Sequence, residues 1–186
     1  IEGNTVTRDG EPMFAIHRRH SAKKVQGCYR ELTPMLEYGR QALEDNKKGV
    51  ATEALEQVVL AIVVTTAIVS IFLTRDFTPD YNSGLAHACF YALTAYPVIE
   101  KEHLHGEVVG FGVLYALLVD GQQEEFEKIY ALNKELGLPV RIADIGITEE
   151  QFFETMDRIP QMSDIRHYPY AVTKEMLMQA YETIEQ

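Results

Sequence analysis

The sequence predicts an all-α fold, a bundle of helices forming one domain over residues 1–186, and three observations carry that reading. No part of the chain reads as alternating βαβ units. Helix starts recur with the same chemistry, a threonine before the first turn at Thr33, Thr52, Thr148 and Thr173, with stops at Gly49 and Gly137. The third observation is Val58 to Leu73, VVLAIVVTTAIVSIFL, sixteen residues without a charge. A membrane span needs about 20 apolar residues, and the β-branched content also suits a buried strand. The acidic, amphipathic residues on its N-terminal side favour a central helix wrapped by the others.

Composition fits a globular chain with one good core, at 46% hydrophobic and 24% charged residues. A formal net charge of −11 and the lack of a basic patch argue against a nucleic-acid surface. Cys28 and Cys89 fall in helical segments and form no Cys-x-x-Cys pair, so neither a disulfide framework nor a zinc ribbon is suggested, and a reducing, cytoplasmic setting is expected. The opening IEGNTVTRDG lacks the basic-then-apolar layout of a signal peptide. It also lacks an initiator methionine, as expected of a sequence that begins inside a longer gene product.

In chain order, Met13 to Leu32 has partial helical periodicity. His17 and His20 flank Arg18 and Arg19, whose charge repels a cation, so this stretch reads as a solvated face. Thr33-Pro34 starts a helix running to Asn46, with threonine as N-cap and proline at the first helical position, and Lys47-Lys48-Gly49 closes it. Thr52 and Glu53 open the next helix. Arg75 to Ser83 is a loop leading to a helix over about Gly84 to Ala95. Asp120-Gly121 is a turn, Glu124 to Leu136 an amphipathic helix closed by Gly137 and Pro139, and Thr148 opens a short helix. Met156 to Pro169 reads as irregular, and Thr173 caps a final helix.

His87 and His105 lie eighteen residues apart, in largely apolar or small-residue company. On one unbroken helix they would be about 27 Å apart. Tyr96-Pro97 falls between them, and proline lacks a backbone donor and pushes the preceding residue out of the helical region. The spacing therefore predicts a helical hairpin whose second helix begins near Leu104, bringing the two histidines level. Two imidazoles then face one site, or each is a hydrogen-bonded core residue. Gly106, Gly110 and Gly112 lower helix propensity, and a missing side chain lets a neighbouring helix or a ligand come close. Those glycines sit in a helical pattern and not in a strand-to-helix turn, so this chain by itself is not expected to bind NAD tightly.

The stretches GLAHACFYALTA and HLHGEVVGFGVL resemble the metal-binding core of the glycerol dehydrogenase branch of the iron-containing alcohol dehydrogenase family. The likeness extends to LEYGRQALEDN, KELGLPVRIADIGI and HYPYAVTKEML, nearly the whole chain. It implies the fold of the dehydroquinate synthase-like C-terminal domain of a two-domain dehydrogenase. The N-terminal nucleotide-binding domain, which would hold NAD, is expected to be absent from these residues. In the family one histidine follows Gly-Leu-Ala and another opens His-Gly-Glu, and both bind a divalent metal, zinc or iron. His87 and His105 occupy those positions.

The family's third ligand is an upstream aspartate, and its position falls on Gly3-Asn4-Thr5, so Asn4 stands where the carboxylate is expected, with Asp9 as fallback. Asparagine offers only a neutral carbonyl oxygen, so metal affinity is expected to fall; Asn4 also reads as a terminal residue without a role. The implied chemistry is removal of hydride from a small polyol or alcohol whose hydroxyl the metal polarises. Phe90 and Tyr91 replace a more polar pair, and Val108 stands where a lysine commonly follows His-Gly-Glu. His103 and Glu107 are close enough in sequence to tune the site or are surface residues, and no residue is assigned as catalytic base. The chain thus reads as the metal- and substrate-binding half of a dehydrogenase or as a degenerate stand-alone relative serving binding or assembly. A homo-oligomer is expected in either case, because an apolar face left without its partner domain favours association. No membrane partner is expected.

Overall fold

The structure, a computed structural model, describes residues 7–8, 11–12, 34–65, 83–166, 168 and 170–186. Asn4, Asp9, His17, His20 and Cys28 lie outside the described residues, as does most of the Arg75–Ser83 loop. The chain divides into two compact units, Ile1–Asn82 and Ser83–Gln186. Apart from a two-residue antiparallel ladder in the first, the regular structure of the described residues is helical, and the fold is an all-α bundle.

In the first unit that ladder pairs β1 (Thr7–Arg8) with β2 (Glu11–Pro12), Thr7 opposite Pro12 and Arg8 opposite Glu11. Helix α1 (34–48) ends where the sequence placed its stop: Gly49 is left-handed at φ 67°, its N–H donates to Asn46, and the N–H of Val50 donates to Asp45. The Asp45 carboxylate is buried and joins α1 to α2 (Glu53–Leu60), accepting from Gln41 Nε2 at 2.7 Å and Thr52 Oγ1 at 2.6 Å. Thr52 in turn caps α2 by accepting from Leu55 N–H at 3.3 Å.

Beyond Leu60 the chain winds as a π-helix over Ala61–Thr65, where Ile62, Val63 and Val64 follow one another. Consecutive β-branched residues are poor α-helix formers. Ala54 and Ala61 are buried, but Ile62 is 53% and Val63 61% exposed, so the wrapping expected of a central helix is not seen in the described part of Val58–Leu73. No helix among the described residues is long and apolar enough to cross a membrane.

The centre of the second unit is instead α5 (His105–Val119), which buries Val108, Phe111, Gly112, Leu114 and Tyr115 and packs against α3 (Leu85–Leu93), α6 (Gln123–Leu136) and α8 (Lys174–Glu185). A helix apolar on all sides belongs in the interior. The break at Tyr96-Pro97 is present, and it also starts a helix: Tyr96 is the N-cap and Pro97 the first residue of α4 (Pro97–Glu102). The span expected to be irregular after Met156 belongs partly to α7 (Glu149–Arg158), followed by short 3₁₀ turns at Ile159–Gln161 and Ser163–Ile165. Thr148 and Thr173 cap α7 and α8 as expected, accepting from Gln151 N–H at 3.3 Å and Met176 N–H at 3.4 Å.

The core joins these helices through an aromatic chain. Phe111 lies 5.1 Å from Tyr115 and 6.0 Å from Phe152, and Tyr115 lies 5.2 Å from Phe152, centroid to centroid. Phe152 continues to Tyr181 at 6.0 Å, so α5, α7 and α8 share one aromatic cluster. A polar clasp fixes α7 to the turn after α3. The Tyr96 hydroxyl lies 2.9 Å from Glu154 Oε2 and 3.0 Å from the Gln151 carbonyl, and Arg158 Nη2 donates to it at 3.0 Å.

Candidate functional site

The hairpin predicted from the histidine spacing is built by close approach of α3 and α5. A Cβ placed on Gly112 would lie 2.6 Å from the Ala86 carbonyl oxygen, so only glycine lets the two backbones meet here. Gly106 and Gly110 meet nothing within 4 Å, and the close-packing role belongs to Gly112. Ala86 opposes Gly112 while Phe90 opposes His105, so the helices run antiparallel.

That geometry brings His87 and His105 together, their ring centroids 5.6 Å apart and their planes 45° to each other. His87 is half-buried on α3, and His105 is exposed in the first turn of α5. Phe90 stands edge-on to His105 at 4.3 Å, and Tyr91 lies 6.4 Å from His87 and 5.2 Å from Phe90. The Phe90 departure is thus a packing partner for the second histidine, whereas Tyr91 is 45% exposed.

The spacing of the two rings is compatible with a shared metal ion. A ligating imidazole nitrogen sits about 2.0–2.1 Å from zinc, which places the ring centroid roughly 3.2 Å from the ion, so two rings on one tetrahedral ion have centroids about 5 Å apart. The observed 5.6 Å is within reach of that value by small rotations of the side chains. No cluster of three His, Cys, Asp or Glu side chains suited to a metal occurs among the described residues, so a third ligand of these four types would come from outside them. Asn4, the sequence candidate, is one of those residues.

His103 and Glu107 face elsewhere. Glu107 Oε2 accepts from Leu104 N–H at 3.0 Å, capping α5, and lies 3.6 Å from His103 Nδ1. Leucine has no acceptor to return the bond, so this is half of a capping box. Both residues line a cleft with Lys134, Arg141 and Asp144. Asp144 was missed at the sequence level, although its place three residues after Arg141 is a first-turn acceptor pattern; Asp144 Oδ2 accepts from the N–H groups of Val140 and Arg141, each at 2.9 Å.

Cys89, beside the site in sequence, is fully buried, and desolvation pushes its thiol up to about 12, so it offers no thiolate. Burial also holds the Tyr115 hydroxyl well above the ordinary tyrosine range.

No family model matches the chain. Its sequence is similar to that of glycerol dehydrogenase from Thermotoga maritima, with 31% identity over 158 residues that span 80% of this chain and 39% of that protein. Glycerol dehydrogenase from Escherichia coli O6:H1 is 33% identical over 124 residues, 66% of this chain and 30% of that one. The chain is similar to part of a glycerol dehydrogenase. It spans less than half the length of these curated relatives. The crystal structure of a probable glycerol dehydrogenase from Sinorhizobium meliloti 1021 superposes with a TM-score of 0.70 at 19% identity, over 86% of this chain and 44% of that one, and so shares its fold.

Proposed function

We propose that this chain is the metal- and substrate-binding half of an NAD-dependent dehydrogenase acting on glycerol or another small polyol or alcohol. The observation that carries the reading is the pair of imidazoles held 5.6 Å apart across two closely packed antiparallel helices, in a chain similar to part of several glycerol dehydrogenases. His87 and His105 would hold a divalent metal, zinc or iron, together with an oxygen ligand for which Asn4 is the candidate. When bound, the metal supplies Lewis acidity that lowers the pKa of a substrate hydroxyl.

The chain's own residues set the geometry. Gly112 fixes the distance between the helices, Phe90 restricts rotation of the His105 ring, and the exposed Tyr91 lies beside the pair. The hydride acceptor would be held by a nucleotide-binding domain outside these residues. The cleft between two such domains is where substrate and cofactor would meet.

Metal content tests the reading. The purified chain, its intact mass verified, is analysed for zinc and iron beside His87→Ala and His105→Ala. Near-stoichiometric metal lost in both variants is the expected result. No metal in the parent and no uptake on adding zinc or ferrous ion would overturn it and leave a helical scaffold without a metal site.

A further inference from the structure

We propose that the cleft between the start of α5 and the end of α6 binds a small organic oxyanion, a phosphate ester or polycarboxylate, through Lys134 and Arg141. The cleft measures about 760 Å³, within the range of small-molecule sites. It is set by the left-handed Gly137, which ends α6 and turns the chain into the buried Pro139 and Val140. These two residues give the cleft an apolar side.

Its charges are arranged unequally. The carboxylates of Glu107 and Asp144 line the cleft, but both serve the chain's own backbone, Glu107 through Leu104 N–H and Asp144 through Val140 and Arg141 N–H. The side chains of Lys134 and Arg141 form no ion pair and no hydrogen bond with any described residue. Lys101 and Arg166 are likewise unpaired among the described residues; what distinguishes Lys134 and Arg141 is that both line one concavity.

In a chain with 28 acidic and 17 basic residues, two cations that line one cleft and pair with no described residue are the groups that would receive an anion. The guanidinium supplies a planar fork that matches carboxylate or phosphate oxygens, and the ammonium supplies a mobile point charge. Tyr130 completes the wall: its ring packs on Phe126 at 5.5 Å, and its hydroxyl is another donor. The site shares the first turn of α5 with His105 but needs no metal, so it stands or falls separately from the proposed function.

The test is a titration of the full ¹⁵N-labelled chain, stripped of metal with EDTA, with inorganic phosphate, pyrophosphate and citrate against sodium chloride at matched ionic strength. Saturable shifts of the amides at 137, 138 and 140–144 are expected for phosphates, for citrate or for both, and the responding arm names the class. Affinity falls at least about tenfold in Lys134→Gln and in Arg141→Gln, the weight of a charge-assisted hydrogen bond, and is unchanged in Lys101→Gln. Both cleft positions are exposed, and circular dichroism melts verify that the variants fold. Shifts that fail to saturate, that chloride reproduces, or that survive both cleft substitutions would overturn the proposal.

Discussion

Replacing Gly112 by alanine tests the close approach on which the histidine pair depends. The new Cβ would lie 2.6 Å from the Ala86 carbonyl oxygen, 3.0 Å from its Cα and 3.2 Å from its carbonyl carbon. An ordinary C···O contact is about 3.3 Å, so the nearest distance is roughly 0.7 Å too short. All three atoms are backbone, and no rotamer change relieves them; α3 must move as a body. Overpacking of this kind costs about 1–3 kcal/mol, while alanine in a helix interior recovers about 1 kcal/mol relative to glycine. The net effect is a loss of up to about 2 kcal/mol, which for a chain of 186 residues lowers Tm by up to roughly 8 °C. Gly110→Ala is the matched control, because a Cβ there meets nothing within 4 Å and only the propensity gain, up to about 1 kcal/mol, is expected. Urea melts followed by circular dichroism compare the two variants. Equal stability of the Gly112 and Gly110 variants would refute the packing argument.

Three further outcomes follow from the same structure. Tyr96→Phe removes the acceptor of Arg158 Nη2 and the donor facing Glu154 and Gln151, and is expected to lower stability by about 1–2 kcal/mol, measured by the urea midpoint. Because burial raises the Cys89 thiol to about 12, the folded chain keeps a proton that the unfolded chain releases above about pH 9; the thiol's contribution is intact below that pH and declines by up to about 1.4 kcal/mol per pH unit as pH rises toward 12. Urea melts at pH 8, 9 and 10 of Cys89→Ala and its parent, both carrying Cys28→Ser, isolate that slope, and parallel pH profiles would contradict it. Asn4→Asp places a carboxylate where the family resemblance expects one and should tighten zinc binding at least about tenfold, as read by competition with a chromogenic chelator.

Elements announced by local chemistry were legible in the sequence. Thr52, Thr148 and Thr173 cap the helices they were expected to cap, Gly49 and Gly137 end helices in the left-handed conformation, and Tyr96-Pro97 breaks the chain so that two histidines eighteen residues apart meet. What was misread shares one physical cause: a residue's neighbours in space are not its neighbours in sequence. The longest uncharged run, Val58–Leu73, predicts the centre, yet its described part leaves Ile62 and Val63 exposed, while α5 has its apolar surface interrupted by glycines and is the core helix of the second unit. Glycine contributes no hydropathy, and its value at position 112 exists only because Ala86 is opposite. The clasp of Tyr96 with Arg158 spans 62 residues and has no periodic signature.

If His87 and His105 hold the metal proposed above, their arrangement dictates how their contributions combine. Both belong to one compact unit and to helices locked together at Gly112, and Phe90 packs against one ring, so the pair is held in place before any ion arrives. Such preorganisation would make the second imidazole far stronger than an independent ligand, since its capture would be effectively intramolecular. Removing either ring therefore removes the chelate as well as one donor. His87→Ala, His105→Ala and the double variant should then weaken zinc binding to nearly the same level, within a few-fold of one another, by competition with a chromogenic chelator. If each single substitution had a modest effect and the two multiplied in the double variant, the rings would be acting as separate ligands, and the hairpin would owe its tight packing to the core alone.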